Sequence, residues 1–180
     1  RIGRAIAQFL RSMLSYQSRY DQGRAAVRAI GDDFPNYSLQ ENRGKALFMR
    51  NCALCHLENQ EAHFVVNAPA NTGLDADTRN TDGGVGDITL KPAELGQFKS
   101  PSLRNVEVTG PYMHDGRFAT LEAVIDHYSS GGKDHPNRDI RVQPFHFTES
   151  EKAALIAFRK TLTDHTFLTD RRFSDPFSSN

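Results

Sequence analysis

Cys52-Ala53-Leu54-Cys55-His56 decides how the chain is read. Two thiols three positions apart share one helical turn. From there both can add to the two vinyl groups on one edge of a porphyrin. The next residue, His56, then lies under the ring with its imidazole toward the iron. Cys-x-x-Cys-His is the pattern of covalent c-type haem attachment, and a histidine is the usual first axial ligand. The chain has 2 cysteines, and both are in this motif. A zinc site would call for about four ligands, with further cysteines or paired histidines that the sequence lacks. A dithiol redox pair would call for a strand–helix–strand context, which is also lacking. A disulfide across two intervening residues would leave His56 unexplained. One covalent haem c is therefore the expected cofactor, with a zinc site or a redox pair as the alternatives.

Length and charge bound the rest. At 180 residues the chain is one domain, or one with substantial extensions. Its 22 basic and 22 acidic residues cancel, so it carries no electrostatic footprint for nucleic acid or an anionic membrane. No apolar run reaches the roughly 18 residues of a transmembrane segment. With 13 Gly and 8 Pro, a loop-rich fold draped over a cofactor is expected. Haem c is attached outside the bacterial cytoplasm, so a periplasmic or otherwise exported protein is expected. The chain opens at Arg1 inside an amphipathic stretch, with neither Met nor signal peptide; a fragment or a processed product is expected, its export signal upstream.

Outward from the motif, Leu39 or Gln40 starts a helix that runs through Gly44-Lys45-Ala46-Leu47-Phe48 into the cysteines. Before it, Ile2 to Tyr20 reads as one helix with Ile2, Ile6, Phe9, Leu10, Met13 and Leu14 on a face that packs into the core. The stretch from Asp21 to Ser38 reads as a linker with one helical turn near Ala25 to Ile30. After the motif, Glu58 to Lys91 reads as a long loop with a short strand at Phe64-Val65-Val66; a loop of this length is usually functional or cofactor-bound. Pro92 to Leu95 suits a single turn. Phe98 to Val106 and Thr109 to Arg117 are broken by Pro and Gly. Thr120 caps a helix with Leu121, Val124, Ile125 and Tyr128 inward, ended by Gly131-Gly132. After a polar loop, Thr148-Glu149-Ser150-Glu151 is a capping box. It opens a helix to about Leu162 with Ala154, Leu155, Phe158 and Leu162 inward. The tail from Thr163 wraps the surface or another domain.

Several residues carry possible site chemistry. Met13, Met49 and Met113 are the sulfur candidates for the iron's second axial position. Met13 reads as core, Met49 lies one turn before Cys52 on the proximal side, and Met113 stands on a loop with plausible reach. Arg104 and Lys99 suit haem propionates, since a guanidinium fork matches a carboxylate, or are surface charge. Asp75, Asp77 and Asp82 lack the spacing and terminal Glu of a calcium loop and read as solvated. His63, His135, His146 and His165 show no metal spacing and read as loop or surface residues.

The segments FKSPSLRN (98–105), TGPYMHDGRFATLEAV (109–124), NCALCH (51–56) and AIAQFLRSMLS (5–15) together resemble the bacterial di-haem cytochrome c peroxidases and the related MauG proteins, over most of the chain. The resemblance implies a mainly α, cytochrome c-like haem domain with long irregular loops. It divides the chain into an interdomain-type helix and linker (1–38), a haem domain (39–165) and a tail (166–180). It also implies a tandem partner: an N-terminal haem domain that handles peroxide, to which this C-terminal haem passes electrons. No catalytic residue falls in this half, and alone it would not turn over peroxide. A small redox protein donor or a protein substrate is the further partner implied, and a homodimer is among the assemblies admitted. In the peroxidases the second axial ligand is a Met on the helix after the PYMHDG-type block; in MauG it is a Tyr. The matching residue here is Tyr128, with Met113 the alternative and a histidine or an open site the remainder. A phenolate stabilises Fe(III), whereas a thioether favours Fe(II). Family members bind Ca²⁺ between their halves through backbone carbonyls matching Thr109 and Pro111. The contrasting reading is a single-haem electron carrier without catalysis.

Overall fold

Ser38 opens the helix that carries the haem-type motif. Its hydroxyl accepts from the Glu41 amide while the Glu41 carboxylate accepts from the Ser38 amide, at 3.2 and 2.7 Å, so two orphan donors of a helix start are satisfied at once. The computed structural model, which describes residues 1–56, 68–77, 82–175 and 177, uses the same device twice more. Ser18 with Asp21 opens α2, and Thr148 with Glu151 opens α7. The helices in order are α1 (Ile2–Ser12), α2 (Arg19–Ala25), α3 (Leu39–Asn51), α4 (Ala53–His56), α5 (Val85–Thr89), α6 (Leu121–Ser130), α7 (Glu149–Lys160) and α8 (His165–Leu168). Single 3₁₀ turns stand at Pro92–Glu94, Val106–Val108 and Arg171–Phe173. Sheet structure among the described residues is limited to isolated bridges such as Ala70 to Phe98. The protein is mainly helical, as expected. Thr148→Ala removes one acceptor at the start of α7 and is expected to cost about 1 kcal/mol, read as a fall of about 2–4 °C in Tm.

α3 and α7 form the principal helix contact. They cross at Gly44, where any Cβ would run into the Ala154 carbonyl and the Phe158 side chain; glycine lets the two backbones approach. Phe48 then meets Phe158 at 5.1 Å with the rings tilted by 44°, and Leu155, Leu162, Ile125 and Leu121 fill in around them. The inward sets expected for α6 and α7 are met: Ala154, Leu155, Phe158, Leu162, Leu121 and Ile125 are buried, and Val124 and Tyr128 are half-buried. Thr120 accepts from the Ala123 amide, and Gly131 ends α6 in the left-handed region at φ 84°.

Three expectations are corrected. The first helix stops at Ser12, not Tyr20, and does not pack into the core. None of its residues is buried, and Ile2 and Leu10 are 79% and 60% exposed. The chain leaves the helix because the Asp164 carboxylate takes the Tyr16 and Gln17 amides, each at 2.9 Å, and the Ser15 hydroxyl at 3.2 Å. Ser18 then starts a fresh helix. Second, the turn expected near 25–30 lies earlier, as α2. The following stretch also does more than link, since Tyr20, Phe34 and Tyr37 join the core. Buried Lys45 fastens it by donating to the Ile30 and Asp32 carbonyls, both at 2.7 Å, with its ammonium 4.4 Å over the Phe34 ring. Third, the irregular region after the motif contains the short helix α5. The strand expected at Phe64-Val65-Val66, and His63, lie outside the described residues. In the tail, Phe173 meets Phe167 at 5.4 Å and Phe9 of α1 at 6.0 Å.

Candidate haem site

Cys52 ends α3, its amide donating to the Phe48 carbonyl at 2.8 Å. The amides of Cys55 and His56 both turn back onto the Cys52 carbonyl, at 3.1 and 3.0 Å. One tight turn therefore presents both thiols and the imidazole. The thiols are half-buried and not joined in a disulfide. Burial pushes both up from their ordinary value; Arg159 works against this at Cys52, and Arg141 at Cys55. Arg141 is itself held by Asp139 and reaches the Leu54 carbonyl at 3.4 Å, which brings the 139–142 loop beside the motif.

His56 Nδ1 lies 3.2 Å from the Pro101 carbonyl. That oxygen can only accept, so the ring donates through Nδ1 and the lone pair falls on Nε2. A carbonyl acceptor behind a ligating imidazole fixes its orientation and raises its basicity. Pro101 lies inside FKSPSLRN, yet nothing local in that segment marks its carbonyl as the partner of His56.

α6 brings Tyr128 to the same place. Burial first, and then the neighbouring Cys52 and Cys55 thiols, hold its phenol at about 12, while Arg159 draws it down. The adjacent His127 turns away, its Nε2 3.0 Å from the Thr72 carbonyl, as helical geometry requires of successive residues. Arg159, on α7, was not legible as a site residue. It is 5% exposed, and its Nη1 is buried with no hydrogen-bond partner among the described residues.

This donor set fits a covalently held haem: two unbridged thiols on one turn, an imidazole with Nδ1 engaged behind it, a phenol within electrostatic reach, and an orphaned buried cation. Among the described residues no group of three or more His, Cys, Asp or Glu gathers to hold a metal ion.

The other sequence candidates fall as follows. Arg104 directs both terminal nitrogens to Asp21, at 2.9 and 2.8 Å; Lys99 Nζ reaches the Ser100 carbonyl at 3.3 Å. Met49 packs against the core. Met113 is half-buried on a turn with φ 72°. Thr109 and Pro111 are exposed on the turn before α6, and the Gly110–Pro111 bond is cis. One loop reading is corrected. Asp75 is not merely solvated, because Arg117 forks onto it at 2.8 and 3.0 Å. His135 lies on a loop, as read, but inside the fold: it is 7% exposed, with Nδ1 accepting from the Asn71 amide and the Asn137 backbone amide at 3.1 and 3.0 Å. His146 and His165 are exposed as expected.

No family model matches the chain. The methylamine utilization protein MauG of Methylorubrum extorquens is 34% identical over 160 residues, 88% of this chain and 42% of that protein. A cytochrome c551 peroxidase of Nitrosomonas europaea is 32% identical over 174 residues, 91% of this chain and 44% of that protein. Among solved structures, a MauG-like protein associated with microbial copper homeostasis superposes with a TM-score of 0.78 at 35% identity, covering 91% of this chain and 53% of that one. The diheme peroxidase of Burkholderia thailandensis gives 0.63 at 26% identity, covering 87% and 48%. The fold is thus the mainly helical one of the MauG-like cytochrome c peroxidases. The chain is a homologue within the family of MauG proteins and bacterial cytochrome c peroxidases, and it spans about half the length of the curated relatives it matches.

Proposed function

We propose that this chain is the C-terminal, c-type haem domain of a di-haem peroxidase or MauG-like oxidoreductase. It transfers electrons to a peroxide-reducing haem in an N-terminal half. The observation that carries this reading is the single turn presenting Cys52, Cys55 and a His56 ring with Nδ1 on the Pro101 carbonyl, in a homologue of that family. When bound, haem c supplies one-electron chemistry. The chain's own residues do the rest. Cys52 and Cys55 would hold the porphyrin through thioethers. His56 offers Nε2 to the iron, made a stronger donor by Pro101. Tyr128 would be the second residue to hold the iron, with Met113 the alternative. The Thr109 and Pro111 carbonyls suit a hard Ca²⁺ ion at the interface with the N-terminal half. That half is the proposed cover of the apolar face of α1, whose Ile2, Ile6, Phe9 and Leu10 stand exposed.

An exported, periplasmic location follows from the chemistry of haem c attachment; no helix among the described residues is long and apolar enough to cross a membrane. A single-haem electron carrier is the second reading. The test is the ferric and dithionite-reduced absorption spectrum before and after acid–acetone extraction. Haem colour that stays with the protein is expected, and colour that is extracted or never present overturns the proposal. A count of Cys-x-x-Cys-His motifs in the full gene separates the two readings, two supporting the peroxidase and one the carrier.

A further inference from the structure

Among the described residues, Arg159 is a charge without an ion-pair partner. It stands on α7 beside Phe158, packed inside the domain at 5% exposure. Its Nη1 is buried and unbonded among the described residues, and none of the ion pairs described there includes it. A buried ion is costly unless paired and hydrogen-bonded, and a guanidinium does not escape by losing its proton. By contrast, Arg104, Arg117 and Arg141 each fork onto an aspartate. The two groups that sense Arg159 are Cys52 and Tyr128. One anchors the haem in the reading above, and the other is its candidate axial ligand.

We propose that Arg159 is the buried counter-charge of the haem site, its guanidinium pairing with an anionic oxygen that is present only when haem is bound. Two sources supply that oxygen: a propionate carboxylate of the haem, or the Tyr128 oxygen as an iron-bound phenolate. Arg159 is then a positioning residue, acting on the iron through a second group. A fixed positive charge near the iron favours Fe(II), which carries one positive charge fewer than Fe(III). Removing it favours Fe(III) and lowers the reduction potential.

The inference rests on the haem reading, and the two fail separately, because a colourless parent protein sinks the haem reading before Arg159 is touched. The test is a spectroelectrochemical titration of the haem-loaded chain as parent, Arg159→Leu, Arg159→Gln and Arg159→Lys. Leu and Gln are expected to raise the Fe(III)/Fe(II) ratio at fixed potential about tenfold, a shift of about 59 mV downward for a one-electron couple. Lys keeps the charge and is expected to stay within about threefold of the parent. Gln retains a polar stem and carries the test if Leu fails to accumulate. Neutral variants titrating within twofold of the parent overturn the proposal.

Tyr128→Phe, combined with each variant, identifies the anion. If the guanidinium bonds the phenolate, the shift at least halves in the Phe background, and Arg159→Gln also moves the oxygen-to-iron charge-transfer band. If it bonds a propionate, the shift survives the Phe background intact and that band stays in place.

Discussion

Replacing Cys52 and Cys55 together by alanine is expected to yield a protein from which acid–acetone removes all haem colour, where the parent keeps it. The argument is one of bonds. A porphyrin held by iron ligation and packing alone leaves once acid protonates His56 and unfolds the pocket, whereas a thioether survives both. The single replacements are more informative. Either one leaves one thioether, so haem is retained, but one vinyl group stays conjugated with the ring and the reduced α band moves to longer wavelength. Cys52 packs against the core cluster while Cys55 does not, so Cys52→Ala is also expected to lower Tm more than Cys55→Ala. His56→Ala should keep the covalent haem and lose its six-coordinate spectrum. Haem resistant to extraction in the double variant would remove the basis of the whole functional reading. The helical fold should persist throughout, because the core of Phe48, Leu155, Phe158 and Leu162 loses only the Cys52 contact at its edge.

The features that were legible in the sequence are local ones. Thr148 with Glu151, Thr120 with its helix, and Gly131 at the end of α6 each lie within a few residues of the group they satisfy, and all three are found in place. The spacing of Cys52, Cys55 and His56 is likewise a property of one turn. What was not legible depends on partners distant in sequence. The hydrophobic period of α1 identifies an apolar face correctly but cannot say what covers it. The helix ends because a carboxylate from position 164 captures amides at 16 and 17, and nothing near residue 12 announces that. His135 carries no metal spacing and reads as a loop or surface residue; its burial depends on two asparagines, one of them far away in sequence. Arg159 did leave a trace. It falls four residues after Leu155 and one after Phe158, on the inward stripe of α7. An arginine at a core-facing position of an amphipathic helix is a buried charge in need of an explanation.

Tyr128→Phe is expected to convert a six-coordinate ferric haem into a five-coordinate or water-bound one and to raise its reduction potential. The phenol is held at about 12 by burial and by the nearby thiols, so near neutral pH it would remain protonated by itself. Binding as a phenolate therefore needs a positive charge at the oxygen. Ferric iron supplies one, and Arg159 is placed to supply another. The anionic donor favours Fe(III); removing it should change the Fe(III)/Fe(II) ratio at fixed potential by more than tenfold, or more than about 59 mV. Met113 makes the opposite set of predictions. A thioether ligand would show a sulfur-to-iron charge-transfer band in the ferric parent, lost in Met113→Leu and untouched in Tyr128→Phe. The backbone separates the two candidates further. Tyr128 projects from a regular helix capped at both ends, which fixes its side chain without help from the ligand. Met113 sits at φ 72° on a turn, a conformation that costs of order 1–3 kcal/mol in a residue with a side chain, so Met113→Gly should be tolerated or stabilising if the residue has no role at the iron. A ferric spectrum unchanged by Tyr128→Phe would sink the tyrosine assignment. If Met113→Gly then abolished the sulfur band, the haem would be an electron relay of the thioether type.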